Sequence, residues 1–183
     1  MNTTNAASPA ACFDDAVLPH LDAAYRLARW LLRNDQDAED AVQEAALRAF
    51  KYFRTFSGGN GRAWFLRIVR NTCSSWRGRQ SPLPVDSFDE DRHIVAAGSV
   101  DPETTLVHAA DASMVEQVLT GLPEPFRELL VLRELEGLSY LELADVLQIP
   151  IGTVMSRLSR ARQAFRAEFT AESRMLTYAR CGT

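Results

Sequence analysis

Cysteine is scarce: Cys12, Cys73 and Cys181 are all that 183 residues carry. They lie too far apart for a paired metal-ligand spacing, and an odd number cannot close fully into internal disulfides, so a metal-bound or disulfide-stapled scaffold is excluded and a reducing cytoplasm is the expected compartment. No apolar run reaches the roughly 18 residues a membrane span needs, and residues 1–11 lack the basic start and apolar stretch of a leader; neither export nor membrane insertion is expected. Histidine is as scarce: His20, His93 and His108 are scattered. With no glycine-rich phosphate loop, and with carboxylates gathered away from any nucleophile, no catalytic, metal-ligating or cofactor-binding residue is assigned. Excess positive charge is also lacking. The formal net charge of -4 speaks against nucleic-acid binding if averaged over the chain, so the distribution decides.

What the chain has is helical periodicity. Leu21, Tyr25, Ala28 and Leu32 recur at three- to four-residue steps, as do Ala38, Val42, Ala45 and Ala49 with Phe53 beyond, which reads as two antiparallel helices joined near Asn34. Ser57, Gly58, Gly59, Asn60 and Gly61 break the pattern, and Trp64, Phe65, Ile68, Val69 and Cys73 stripe a third helix. From 81 to 103 the periodicity fails, prolines appear at 82, 84 and 102, and Asp86, Asp89, Glu90, Asp91 and Asp101 accumulate, the composition of a flexible acidic linker. Helical spacing then resumes from Val107 to Phe165. The expected fold is all-α: a flexible start (1–16), a helical domain (17–80), the linker (81–103), a second helical domain (104–169) and a tail (170–183).

In the second domain Ser139 and Glu142 form an S-x-x-E capping box, the signature of a helix start. Gln148, Ile149 and Pro150 make a tight turn, and Thr153 opens another helix with Val154 and Leu158 inward. Two helices joined by a brief turn are a helix-turn-helix, whose second member can enter a major groove. That second helix carries Arg157, Arg160, Arg162 and Arg166 and no acid from 151 to 166. An ordinary solvated face is the bland explanation. The local charge asymmetry together with the turn favours DNA, because arginine neutralises phosphates and takes a guanine edge bidentately.

A second basic stretch interleaves Arg62, Arg67, Arg70, Arg77 and Arg79 with Trp64, Phe65 and Trp76. Rings and guanidinium groups together suit opened single strands, although Trp64 and Phe65 are read as core and only Trp76 as a candidate for exposure. Asp35, Asp37, Glu39, Asp40 and Glu44, with Gln43 among them, crowd one helix start. Acids there meet the helix dipole, and their density also suits a basic protein partner.

The runs 37–44 (Asp-Ala-Glu-Asp-Ala-Val-Gln-Glu) and 64–71 (Trp-Phe-Leu-Arg-Ile-Val-Arg-Asn), then Leu122-Pro123 and Gly152-Thr153-Val154, resemble the extracytoplasmic-function group of the sigma-70 family. The resemblance spans about 25–79 and 115–169. It implies an alternative sigma factor, a non-catalytic subunit that binds the RNA polymerase core and recognises two promoter elements in duplex and melted DNA. It implies that Asp37, Glu39, Asp40, Gln43 and Glu44 dock on the coiled coil of the polymerase β′ subunit, with further contact to the β subunit. It sets Arg67, Arg70, Asn71, Ser74, Ser75 and Trp76 near the melted minus-ten element, Asn71 in the pocket for a flipped base. It puts Thr153, Met155, Ser156, Arg157, Ser159 and Arg160 at the minus-thirty-five element. Met155 stands where a basic residue is common and Ser159 where relatives carry a bulkier one; both departures bear on promoter sequence. By the same analogy the acidic linker threads the polymerase active-site cleft and RNA exit path, and an anti-sigma factor holds the two domains together.

Two other readings use the same residues differently. A sigma-like decoy would only occupy an anti-sigma factor, and would gain nothing from arginines on two DNA faces. A conventional helix-turn-helix regulator would leave the acidic helix and the basic-aromatic helix without a joint explanation.

Overall fold

The computed structural model describes residues 9–80 and 112–181, with side chains over 13–78 and 112–174. The expected linker, the start of the second domain at 104–111, and the terminal residues 1–8 and 182–183 lie outside the described residues. Every element among the described residues is helical.

The first domain comprises α1 (Pro9–Val17), α2 (Leu21–Leu32), α3 (Asp35–Tyr52) and α4 (Gly61–Gln80). Helices α2, α3 and α4 pack on one another as the periodicity implies. On α3 the inward positions are Ala38, Ala41, Ala45 and Ala49, all fully buried; small side chains let the helix axes approach closely. The buried stripe of α2 runs through Ala24, Leu27, Ala28 and Leu31, while Leu21, Tyr25 and Leu32 sit at its margin. Helix α2 stops where Arg33 turns left-handed (φ 58°), and the Asn34 side chain caps α3 by accepting from the Asp37 amide at 3.1 Å. That short reversal makes α2 and α3 antiparallel neighbours.

Residues 1–16 were expected to be flexible, but from Pro9 onward the chain is helical. Packing explains it: Phe13 meets the Phe50 and Phe53 rings edge-on at 5.2 and 5.4 Å, and Val17 is fully buried. Gly61 is the matching feature on α4. A Cβ there would stand 2.7 Å from the Ala16 carbonyl oxygen, so α4 can begin against α1 only if that residue has no side chain.

The second domain comprises α5 (Ala112–Gly121), α6 (Glu124–Leu130) with a wider π-helical turn over Val131–Leu135, α7 (Tyr140–Leu147) and α8 (Ile151–Cys181). Its centre is Phe126, Leu129, Leu132, Leu138, Leu143, Val154, Leu158 and Ala161, each large side chain worth about 2 kcal/mol on burial. Residues 170–183 were expected to form a separate tail, yet α8 continues through Cys181. No glycine or proline interrupts 153–181, and Phe165 stacks on Phe169 one turn away at 5.8 Å. The two domains meet, α2 against α6 and α4 against α7.

Candidate nucleic-acid interface and docking face

The helix-turn-helix is built as its capping residues dictate. Ser139 Oγ accepts from the Glu142 amide at 3.3 Å while the Glu142 carboxylate accepts from the Ser139 amide at 2.6 Å, closing a reciprocal box at the start of α7. Hydrogen bonding of the Glu142 carboxylate to Ser139, to its hydroxyl first and then to its amide, holds the carboxyl below the ordinary glutamate range. Gln148 adopts the left-handed conformation (φ 56°) that reverses the chain after α7. Pro150 then precedes α8, accepting the Val154 amide at 3.0 Å. With Val154, Leu158 and Ala161 turned into the core, Met155, Ser156 and Ser159 are exposed, and Thr153, Arg157 and Arg160 lie half-buried on the flanks. The minus-thirty-five set thus shares one end of α8. Arg162 does not join it: its guanidinium donates to Glu134 Oε1 at 2.7 and 3.0 Å, a staple within the domain.

On α4, Asn60 caps the first turn by accepting the Ala63 amide at 3.1 Å. Trp64 and Phe65 are core, as read from the sequence. Asn71, Ser74 and Ser75 stand exposed in adjacent turns, a small polar surface of the kind a flipped base can use. Beside them Arg67 and Arg70 are half-buried and paired with acids of the second domain: Arg67 Nη1 lies 2.7 Å from Asp145 Oδ1, and Arg70 Nε 2.7 Å from Glu128 Oε1. Trp76 is half-buried too, its Nε1 donating to Glu44 Oε2 at 2.6 Å. Cys73 is fully buried beneath this helix, and burial pushes its thiol up to about 12, which leaves it protonated and inert.

On α3, Glu39, Asp40 and Gln43 point outward, Asp37 is half-buried, and Glu44 is engaged by Trp76 and by Arg48 Nη2 at 2.5 Å. The same outward stripe continues into Leu47, 72% exposed, and Phe50, 64% exposed. Two large apolar side chains following acids at helical spacing give this face of α3 a polar and a greasy half, the kind of surface a protein partner covers. The periodicity left both residues unassigned because they fall between the inward positions; that gap was itself the available signal.

Residues 16–82 match the family described as Sigma-70 region 2, and 112–165 the family described as Sigma-70, region 4. The RNA polymerase sigma-H factor of Pseudomonas aeruginosa is 35% identical over 162 residues, covering 83% of each chain. The ECF RNA polymerase sigma-E factor of Escherichia coli K12 is 34% identical over 136 residues, 70% of this chain and 71% of that one. The chain belongs to the extracytoplasmic-function group of the sigma-70 family. A third relative, ECF RNA polymerase sigma factor SigE of Mycolicibacterium smegmatis, is 35% identical over 84% of this sigma factor, which spans 60% of that protein's length.

The sigma-factor fold is similar to that of the sigma factor RpoE from Bartonella quintana, crystallised in complex with the anti-sigma factor NepR. The TM-score is 0.67 at 28% identity, covering 87% of this chain and 97% of that one. CnrH, solved with the cytosolic domain of CnrY, shares the fold with a TM-score of 0.63 at 24% identity over 88% and 90% of the two chains. The acidic helix and the basic-aromatic helix fall inside the region 2 match, and the helix-turn-helix inside the region 4 match. Among the described residues no helix is long and apolar enough to cross a membrane, and no three His, Cys, Asp or Glu side chains are grouped to hold a metal.

Proposed function

We propose that this sigma factor docks on RNA polymerase core through the outward face of α3 and brings two DNA-reading surfaces to one promoter: the exposed polar face of α4 at the minus-ten element and the start of α8 at the minus-thirty-five element. The observation that carries the reading is that a region 2 match and a region 4 match in one chain each present an exposed polar surface. Asp37, Glu39, Asp40 and Gln43 meet a basic partner such as the β′ coiled coil, and Leu47 and Phe50 supply the apolar half of that contact. Glu44 acts from behind, tying α3 to the end of α4 through Trp76. Arg67, Arg70, Asn71, Ser74, Ser75 and Trp76 serve the melted strand; extruding a base costs a few kcal/mol, which a pocket at Asn71 recovers for the right base. Thr153, Met155, Ser156, Arg157, Ser159 and Arg160 read the upstream duplex. The chain contributes specificity and no catalysis, acts in the cytoplasm beside polymerase, and is a target for an anti-sigma factor.

Transcription by purified core from a library of promoter fragments tests this. Initiation that depends on the chain and shares two sequence elements is expected. Asn71→Ala should impair opening, Arg160→Ala should weaken upstream recognition by about tenfold, and Leu47→Arg should weaken core binding. A folded chain that gives no initiation with active core would overturn the reading.

A further inference from the structure

We propose that Met155, with Ile151 one turn before it, recognises thymine through its 5-methyl group, so that the upstream element holds A·T pairs opposite the middle of the α8 reading face. The inference deepens the function proposed above and rests on it: the start of α8 lies in the major groove of the upstream duplex. Ile151 is 40% exposed and Met155 50% exposed, while Val154, Leu158 and Ala161 are buried. Steps of four place Ile151, Met155 and Ser159 along one line of the helix, with the exposed Ser156 beside it. Gly152 shares this face and adds no side chain to it; a Cβ there would meet nothing within 4 Å. The centre of the face is therefore uncharged, and its two large side chains are apolar.

The guanidinium groups of the helix stand elsewhere. Arg157 and Arg160 are half-buried on the flanks, and Arg162 is held by Glu134. Cations at a flank suit phosphates, which position the helix without specifying sequence. A guanine edge needs donors aimed at O6 and N7, and neither Met155 nor Ile151 has one to offer. The thymine methyl is the apolar group that a base pair presents in the major groove. An unbranched thioether adapts its shape to such a contact, and serine accepts either member of the neighbouring pair. Single exposed apolar residues are ordinary on any protein. Two on successive turns, among serines and on the helix that the fold offers to DNA, match the chemistry of thymine.

The test uses holoenzyme reconstituted from core and the full chain, bound to a labelled duplex that carries the upstream element selected from the promoter library. Each thymine of that element is replaced singly by deoxyuridine, which keeps every hydrogen-bonding group and loses only the methyl. Wild type should lose about fourfold in affinity at one or two adjacent positions. Met155→Ala should already be weaker by about that factor on thymine and indifferent to uracil there. Met155 is half exposed, so its truncation leaves the buried core of the domain in place, and circular dichroism checks the fold. A selected element without thymine, or equal affinity for thymine and uracil at every position, would overturn the proposal. So would a Met155→Ala loss that is the same on both bases, which would assign the side chain to another contact. A fully scrambled upstream element separates this outcome from failure of the wider function. If scrambling costs affinity and uracil does not, upstream recognition stands and thymine recognition fails; if scrambling costs nothing, both fail.

Discussion

Arg127 is a cation 5% exposed inside the second domain, and among the described residues it forms no ion pair. It donates instead to backbone carbonyls: Nε to Leu119 at 3.0 Å, Nη2 to Leu122 at 2.9 Å and, at the limit of bonding, Nη1 to Trp30 of the first domain at 3.5 Å. These carbonyls lie at or just past the ends of α5 and α2, where the helical ladder runs out, and Leu119 has besides only the long 3.3 Å bond from the Leu122 amide. Burial pulls its pKa down to about 10, so it remains charged at neutral pH. Arg127→Met removes the donors, leaving the Leu122 carbonyl without the guanidinium and the Leu119 carbonyl with only the 3.3 Å bond from the Leu122 amide, which should cost about 2 kcal/mol in urea denaturation. A loss under about 0.5 kcal/mol would mean water replaces the guanidinium. Nothing in the sequence marked this residue, because an arginine between Phe126 and Glu128 has the spacing of a solvated face. The core status of Trp64 and Phe65 was legible, since neighbouring apolar positions on a striped helix cannot both avoid the interior.

Element boundaries were legible wherever local chemistry sets them. Asn34 caps α3, and Ser139 with Glu142 caps α7, because an orphan amide must find an acceptor whatever the tertiary context. Boundaries set by distant contacts were not: α1 depends on Phe13 reaching Phe50, and Gly61 reads as a loop glycine until Ala16 is found against it. The α7 cap also carries a pH prediction. The Glu142 carboxyl titrates below its unfolded value, mainly through the Ser139 hydroxyl and amide and further through Asn60 and Arg62. Its stabilisation is therefore complete above the unfolded glutamate pKa of about 4.3 and is lost as pH falls through the lower folded value. Ser139→Ala should cost about 1 kcal/mol at pH 7. Thermal melts of Glu142→Gln should show a deficit at pH 7 that closes toward pH 3, and a deficit independent of pH would assign the cap to hydrogen bonding without charge.

At the scale of the molecule, a net charge of -4 hides where the charge is spent. The pairs that join the domains link residues 110, 78 and 58 positions apart, separations no local rule connects, so two all-α domains were readable from the chain and their mutual pairing was not. On the minus-ten reading, binding of a single strand should depend on salt, log affinity falling with log salt by about 0.7 per phosphate neutralised. Arg70→Gln removes one cation from the minus-ten face and should make the slope of oligonucleotide affinity against salt shallower by about 0.7 in a titration between about 50 and about 200 mM salt. An unchanged slope would mean that Arg70 keeps its pairing with Glu128 while DNA is bound, and that the strand is held by the exposed polar face of α4.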